Sequence, residues 1–385
     1  MSSEISTPRL TALLTLGIVV MGSNSLVLSP ILTDVARDLE TTPVVIARVI
    51  SVYGAATALS SALFGGVIDR FGARRVLLVG AAAMVLALIG CAASIGWISL
   101  ALSQAVVGGA VGVMLPAVYA TATASAPAGE GARVLGRVVA GWGISMVVGV
   151  PVSAFITEYA GWRATFGVLA AVAAAAMIGF SRLPSLARGE QAAAVSPAAA
   201  LGIPGVVPLL AICCAYMTAF YGLYAFLGDH LRVTLDLNAG PAGLVVLGYG
   251  AGFGLASLAG ASVDRIGPRR LFPAVLLAIA AVYLALIPAT AALGSAIAMA
   301  VIWGFVNHIG VNLIILFLSE RDPDARGALM GLYTAVTYAS VFAGPLVLGT
   351  LYGPFGFAAA AVAAAAFLAG AALIAWRIGK RLVTA

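Results

Sequence analysis

Apolar runs of about 20 residues follow one another along almost the whole of this 385-residue chain. A run of that length can cross the hydrocarbon of a bilayer as a helix, and a spanning backbone must satisfy its own hydrogen bonds. The runs therefore predict an all-α integral membrane protein. Twelve transmembrane helices are expected, at 10–32, 44–68, 76–95, 98–122, 137–157, 164–181, 205–227, 240–262, 271–289, 295–318, 328–350 and 357–376.

Composition agrees with this class, because 62% of the residues are hydrophobic and only 9% are charged. A soluble domain carries about 25% charged residues. The first apolar run, Leu10 to Leu32, is too long for a signal peptide and is expected to remain as the first span. The three cysteines lie in apolar runs without metal-ligand spacing, so neither a metal nor a cofactor is predicted.

The positions of the cations predict the topology. With the N-terminus inside, most of the 20 Lys and Arg residues fall in inner connectors, whereas Arg37, Arg163 and Arg232 fall outside and Arg48 lies within a span. Inner loops carry such an excess of Lys and Arg. We therefore expect a multi-pass protein of the inner (cytoplasmic) membrane with both termini cytoplasmic. The net charge of +6 is interpreted as a topology signal and not as a nucleic-acid surface.

A motif repeats on either side of the longest connector, 182–204, which has three prolines and a linker composition. The loop after the second run reads GGVIDRFGARR and the loop after the eighth reads GASVDRIGPRR. Their aspartates, Asp69 and Asp264, are 264 − 69 = 195 positions apart. The repeat predicts two pseudo-symmetric six-helix bundles, 1–181 and 205–385, joined by a cytoplasmic linker. Parallel halves of this kind are a known transporter architecture.

The repeated DRxGxRR loop resembles that of the major facilitator superfamily. The fifth span carries GVPVSAF and then EYAGWRATF, which are similar to the antiporter motif and the Gly-Trp-Arg turn of the bacterial twelve-span drug and metabolite efflux branch (drug:proton antiporter, sugar-efflux-like). Gly344-Pro345 in span eleven echoes the Gly149-Val150-Pro151 segment. The resemblance implies a monomer with a central cavity, alternating access, a small-molecule substrate and protons as partners.

The resemblance also implies that the two loops form a conformational latch, with Asp69 facing the start of span eleven. An alternative is that the arginines only anchor the loops at the anionic inner leaflet. The expected latch residues are Gly65, Asp69, Arg70, Gly72, Arg74, Arg75, Asp264, Arg265, Arg269 and Arg270. The expected helix-packing and antiport residues are Gly149, Pro151, Gly344 and Pro345.

Polar and ionisable side chains inside spans are costly and therefore candidates for substrate binding. Arg48 either snorkels to the headgroups or clamps an anion. His308 either hydrogen-bonds a neighbouring helix or titrates. Asn24 and Gln104 are either interhelical contacts or ligands. The candidates are Asn24, Arg48, Gln104, Tyr221, Tyr224, Asn307, His308, Asn312, Tyr333 and Tyr338.

Candidates for proton coupling are Asp69, Asp229, His230 and His308. Asp229-His230 is expected at the outer end of span seven, as a gate or a helix cap, and Glu158 is expected as a solvated loop charge. No Asp or Glu is expected deep in a span. Where related exporters carry an acid in span one, this chain has Ser25, which disfavours a cationic cargo.

The predicted function is a proton-linked exporter of a small neutral or anionic organic compound. An importer, working as a symporter or facilitator, is the main alternative. A membrane sensor or enzyme is a remote one, because the sequence has no phosphate-binding loop, no metal-spaced His/Glu set and no nucleophile paired with a base. The chain is therefore not expected to be an enzyme.

Overall fold

The computed structural model describes residues 7–64, 67–127, 130–183, 196–256, 263, 265–322 and 325–381. All regular elements in those ranges are helical. The first half contains α1 (Thr7–Asp38), α2 (Pro43–Leu63), α3 (Val67–Phe71), α4 (Ala73–Ala92), α5 (Trp97–Ala124), α6 (Gly131–Val139), α7 (Gly141–Ile144), a π-helical turn (Ser145–Gly149), α8 (Val150–Ala160) and α9 (Trp162–Ser181). The second half contains α10 (Pro197–Leu201), α11 (Val206–Leu235), α12 (Ala239–Leu255), α13 (Pro268–Ala289), α14 (Leu293–Ser319) and α15 (Arg326–Arg381).

Within the described ranges, ten helical stretches are long and apolar enough to cross a membrane. The apolar helix α12 has 17 residues and is shorter than these. The 56 residues of α15 would extend roughly 84 Å at 1.5 Å per residue, and Gly356 interrupts it with φ 76° and ψ −173°. The prediction of a polytopic all-α protein is confirmed, and the count of twelve stays a prediction.

The fifth predicted span is composite, because the π-helical turn lies between α7 and α8. Pro151 follows this turn directly. Proline has no N–H to donate to the carbonyl four residues earlier, so the hydrogen-bond pattern must change at this point. A π turn inside an α-helix is a known way to absorb such a change.

The seventh predicted span is longer than expected, since α11 continues past 227 to Leu235 and ends at Asp236, which has a left-handed φ of 51°. Asp229 and His230 therefore lie within the helix. The alternative that they cap the helix end is therefore wrong, and the alternative that they form a gate stays a prediction.

The helices pack into two units. Unit 1 comprises Met1–Glu190 with Asn238–Gly243, and unit 2 comprises Gln191–Leu237 with Leu244–Ala385. Of the predicted linker 182–204, residues 184–195 lie outside the described residues, and Pro197–Leu201 forms the short helix α10. The predicted bundle boundaries stay a prediction.

The sequence repeat is also a backbone repeat. Gly72 and Gly267, 195 positions apart, have φ of 80° and 91° and precede α4 and α13. Gly161 and Gly356, also 195 positions apart, have φ of 83° and 76°. Positive φ is readily available only to glycine, so both halves turn at equivalent places. The break in α15 thus corresponds to the junction between α8 and α9.

Equivalent glycines also bring helices together inside each unit. In unit 1 the carbonyl oxygen of Tyr53 in α2 occupies the space that a Cβ at Gly108 of α5 would need. In unit 2 the carbonyl oxygen of Tyr249 in α12 stands in the same relation to Gly304 of α14. Small residues permit such close approach of membrane helices.

Candidate functional site

A reciprocal amide pair joins α1 to α5 inside unit 1. Asn24 Nδ2 donates to Gln104 Oε1 at 3.0 Å, and Gln104 Nε2 donates to Asn24 Oδ1 at 3.1 Å. The two residues are only 3% and 1% exposed. Because each amide offers a donor and an acceptor to the other, this placement favours the interhelical alternative, in which polar side chains hold membrane helices together.

Arg48 lies on the exposed face of α2. Leu59, about three turns further along, and Leu63 share this side of the helix and are 62% and 73% exposed. No described residue forms a hydrogen bond or an ion pair with Arg48. The position of Arg48 on an exposed apolar stripe favours the interpretation that its side chain snorkels to the headgroups, and disfavours the interpretation that it clamps an anion.

In unit 2, Asn307 of α14 is the centre of a buried polar network. The hydroxyl of Tyr216 in α11 lies 2.8 Å from the carbonyl oxygen of Asn307 and 2.5 Å from its Oδ1. Asn307 Nδ2 donates to the hydroxyl of Tyr249 in α12 at 2.5 Å. All three residues are at most 2% exposed. The network therefore connects three helices through neutral groups.

An aromatic cluster surrounds this network. The ring centroid of Trp303 lies 5.0 Å from that of Tyr249 and 5.6 Å from that of Tyr283. Phe220 lies 5.6 Å from both Tyr249 and Trp303. The predicted candidate Tyr224 is in the cluster, at 6.4 Å from Tyr249.

Sequence reasoning missed Tyr216, Tyr249 and Trp303. A signal was present, because aromatic residues recur every fourth position at Tyr216, Phe220 and Tyr224, and residues four apart are neighbours on a helix surface. Trp303 likewise lies one turn before Asn307.

His308 follows Asn307 and is placed differently. Its Nδ1 is enclosed and has no hydrogen-bond partner among the described residues. The ring packs edge-on against Phe253 of α12, with centroids 4.6 Å apart. Asn312 is exposed and donates from Nδ2 to the carbonyl oxygen of His308 at 3.0 Å. Within the described residues, the predicted alternative of a side-chain bond from Nδ1 to a neighbouring helix is therefore not seen.

The remaining predicted binding residues also lie in unit 2, where Tyr221 and Tyr333 are close enough to Tyr249 and Tyr216 to interact electrostatically with them. Tyr221 is half-buried, with its ring 5.0 Å from that of Phe220. On α15, Tyr333 is half-buried and Tyr338 is 4% exposed.

Asp229 is a buried carboxylate, 3% exposed, inside α11. The hydroxyl of Tyr352 in α15 donates to its Oδ2 at 2.5 Å. Of the carboxylates whose side chains the structure describes, Asp229 alone is this deeply buried. Asp229 lies six residues before the end of α11 at Leu235, and the expectation that no Asp or Glu lies deep in a span stays a prediction. The sequence held a signal, since Asp34-x-x-Arg37 and Asp229-x-x-Arg232 form a second repeat with the same 195-residue offset.

The neighbouring His230 is tied to other elements of unit 2. Its Nε2 hydrogen-bonds with Oγ1 of Thr290 at 2.9 Å, and its Nδ1 with Oγ1 of Thr234 at 3.2 Å. The imidazole stacks on Phe357 with centroids 4.3 Å apart and planes 2° apart. Arg232, 7% exposed, donates from Nε to the carbonyl oxygen of Leu237 at 3.3 Å. This end of α11 is thus a folded polar region.

Glu158 departs from its predicted role as a solvated loop charge. It is half-buried, and its Oε2 accepts a hydrogen bond from the backbone N–H of Gly240 at 2.7 Å. Gly240 lies in the segment of α12 that packs with unit 1. A carboxylate is stabilised at a helix N-terminus, where it meets unpaired N–H groups.

The structure describes only part of the predicted latch. Gly65, Asp264 and the side chain of Asp69 lie outside the described residues. The guanidinium of Arg70 lies 5.2 Å from the ring centroid of Phe71, and Arg74 Nη2 donates to the carbonyl oxygen of Ser181 at 2.5 Å. The remaining latch arginines are exposed: Arg75, Arg265, Arg269 and Arg270. The latch itself stays a prediction.

The predicted packing residues do pack closely. A Cβ at Gly149 would collide with Ser23 of α1, and Pro151 is buried. In unit 2, a Cβ at Gly344 would lie 2.7 Å from the backbone nitrogen of Gly222 in α11, and Pro345 is buried. These positions need small residues because another helix occupies the space of a side chain.

Spanning helices that bury amides, phenols and a carboxylate define a membrane protein with a polar interior. The profile of the Major Facilitator Superfamily matches residues 14–345. The chain is 30% identical to the uncharacterized MFS-type transporter YwfA of Bacillus subtilis (strain 168), over 93% of this chain and 89% of the relative.

Two solved structures have a similar fold. The D-xylose–proton symporter superposes with a TM-score of 0.79 at 16% identity, covering 96% of this chain and 97% of that structure. A mutant of the nucleoside transporter NupG superposes with a TM-score of 0.76 at 17% identity, covering 98% and 99%. The chain belongs to the Major Facilitator Superfamily. It is a multi-pass membrane transporter and not an enzyme.

Proposed function

We propose that this transporter exports a small neutral or anionic organic compound across the inner membrane by alternating access, as a proton-coupled monomer. The observation that carries the substrate class is the Asn307 network, in which an amide and two phenols are buried together without a charge. Buried polar groups of this kind orient a ligand in a mostly apolar site. We assign substrate contact to this network, to Tyr224 in the aromatic cluster and to His308, whose enclosed Nδ1 has no hydrogen-bond partner among the described residues.

The solved structures of similar fold are under 20% identical to this chain, so the cargo is argued from its own side chains. Neutral amides and phenols suit hydroxyl, carbonyl or carboxylate groups of a substrate. The one deeply buried carboxylate among the described side chains, Asp229, already accepts a hydrogen bond from Tyr352. We therefore assign Asp229 to proton coupling and not to a cationic cargo.

Proton coupling needs a group that gains and loses a proton inside the membrane. Charge on a buried carboxylate is costly in a low dielectric, and protonation of Asp229 removes that cost while leaving a hydrogen bond with Tyr352 possible. His308 is the second candidate because imidazole titrates near neutral pH. His230 and Asp69 remain lesser candidates.

The GVPVSAF segment is the basis on which we propose export and membership of the drug and metabolite efflux branch. Its glycine packs against α1 and its proline follows the π turn, which supports the antiporter-like interpretation. Import by symport is the alternative for the same fold.

The proposal includes twelve spans in bundles 1–181 and 205–385, with both termini cytoplasmic. Two observations support the count. Gly356 interrupts α15 at the position equivalent to the α8–α9 junction, which makes two spans of α15. The apolar helix α12 supplies the remaining one.

The test is transport of a panel of neutral, anionic and cationic compounds into proteoliposomes with an imposed pH gradient. Antiport predicts uptake of a neutral or anionic compound when the lumen is acidic. Uptake driven by an acidic exterior would establish symport, and transport indifferent to the gradient would refute proton coupling. The variant N307A should lose transport, whereas R48A serves as the matched polar control.

A further inference from the structure

An open groove of about 400 Å³ lies in unit 2 beside the start of α13 and the end of α14. Its wall is apolar and includes Ile266, Leu316 and Phe317. Ile266 is 56% exposed, so its apolar side chain is accessible at the surface of the groove.

The rim of the groove is positively charged. Arg269 and Arg270 line it, are exposed, and form no hydrogen bond or ion pair with any described residue. Arg321 is next to them, with its Nε donating to the carbonyl oxygen of Phe317 at 3.3 Å. Burial, followed by the nearby charge of Arg269, lowers the pKa of Arg321, while Glu320 opposes this effect. Two guanidinium groups and one carboxylate, that of Glu320, thus line the groove.

The equivalent loop of unit 1 uses its arginine differently. Arg74, 195 positions before Arg269, donates to the carbonyl oxygen of Ser181 at the end of α9. Arg74 therefore uses part of its hydrogen-bonding capacity within the protein. Among the described residues, Arg269 has no such acceptor.

An apolar stripe begins at the arginines and runs along α13. Arg270, Leu277 and Leu284 follow at seven-residue spacing, which keeps them on one side of the helix at intervals of roughly 10 Å. The two leucines are 52% and 46% exposed. The arginines can contact an anionic headgroup, and the exposed apolar stripe beside them can contact an acyl chain. Together they are complementary to an acidic amphiphile.

We propose that this groove binds an anionic phospholipid, with its phosphate on Arg269 and Arg270 and an acyl chain along the Leu277–Leu284 stripe. Arginine matches phosphate through two parallel N–H donors. A basic pocket between membrane helices is a recognised type of lipid headgroup site. A free inorganic anion would use the arginines but not the stripe.

The test uses the full chain purified in neutral detergent and titrated separately with phosphatidylglycerol, phosphatidylcholine and inorganic phosphate. Native mass spectrometry measures bound lipid, and thermal unfolding measures stabilisation. We expect phosphatidylglycerol to be retained in preference to phosphatidylcholine. The variant R269Q/R270Q should weaken phosphatidylglycerol binding roughly tenfold to thirtyfold.

The matched control R70Q/R75Q removes the same charge from the repeated loop of unit 1 and should leave this binding unchanged. An equal loss in both variants would indicate a general effect of surface charge and overturn the proposal. Stabilisation by inorganic phosphate equal to that by phosphatidylglycerol would also overturn it, in favour of a free-anion site.

A second variant keeps the test decisive if R269Q/R270Q fails to fold. Glu320 is exposed and is the carboxylate on the rim, so E320Q raises the positive charge without removing an arginine. Phosphatidylglycerol affinity should rise about fivefold. An unchanged affinity would contradict a headgroup site at this rim.

Discussion

The hydroxyl of Tyr352 donates a hydrogen bond to Oδ2 of Asp229 at 2.5 Å, which links α15 to α11 inside unit 2. Phe226 stacks on the ring of Tyr352 with centroids 4.4 Å apart, so the phenol is held in place on one side. A hydrogen bond to a charged acceptor contributes about 1.5–3 kcal/mol. The phenol therefore fixes the position of the carboxylate between α11 and α15.

Replacing Asp229 by Asn should uncouple transport from protons. The amide keeps the size and a hydrogen bond with Tyr352 but cannot exchange a proton. In proteoliposomes, substrate exchange should continue while net uptake no longer responds to an imposed pH gradient.

The matched control for this variant is D34N, because Asp34 is the equivalent residue 195 positions earlier and is only half-buried. It should retain the response to the gradient. Intact gradient-driven uptake in D229N would remove Asp229 from the coupling mechanism and leave His308 as the leading candidate. Y352F should weaken the coupling without abolishing it.

The Asn24–Gln104 pair should behave as an interhelical contact and not as a ligand. The variant N24A leaves the Gln104 amide unsatisfied and should lower the free energy of unfolding by about 1–3 kcal/mol. The double variant N24L/Q104M removes both polar groups at similar volume, so its cost should be well below the sum of the single ones. Thermal unfolding of all variants in detergent measures this coupling. Additive losses together with lost substrate binding would identify the pair as ligands.

Replacing Arg48 by Ala should leave the KM of transport unchanged within about twofold, because a snorkelling arginine does not contact substrate. The measurement is initial transport rate against substrate concentration. An anion clamp would instead lose a charge-assisted hydrogen bond, which raises KM roughly tenfold or more. R48K separates the two cases further, since lysine also snorkels.

Two adjacent glycines of α5 should respond oppositely to Ala. At Gly108 a Cβ meets the carbonyl oxygen of Tyr53, whereas at Gly109 it meets nothing within 4 Å. The variant G108A should destabilise the protein by about 2 kcal/mol or more. The variant G109A should be neutral or stabilising by about 0.5 kcal/mol. Thermal unfolding and purified yield report both effects, and equal behaviour would contradict the close crossing of α2 and α5.

Hydropathy and the repeated loop predicted the membrane class, the helical content and the equivalence of Gly72 and Gly267. Such features depend on local composition and spacing. The end of α11 falls later than predicted, because Asp229 and His230 lower the local hydropathy although Thr290 and two residues of α15 provide them with partners. Those partners are distant in sequence and follow no local pattern.

The Asn307 network shows the same limit. Asn307 was identified because an amide inside a span is unusual, but its partners Tyr216 and Tyr249 come from other helices. Which tyrosine meets which amide depends on how the helices pack. The orientation of Arg48 could not be predicted either, because the exposed apolar stripe that it shares with Leu59 is recognised only when the burial of each side chain is known.

The π turn at Ser145–Gly149 places Gly141 and Gly149 on the same side of their composite helix, facing α1. Each α-helical residue turns the side-chain direction by about 100°, so the eight steps from Gly141 to Gly149 would leave the two glycines about 80° out of phase. A π-turn residue turns it by roughly 80°, and five of them bring Gly149 back into line with Gly141. Both glycines then meet α1, at Ile18 and at Ser23. Deleting one residue of the turn would leave seven α-helical steps that sum to the same rotation of about 700°, so Gly149 and the proline-containing segment should keep facing α1 without the π turn.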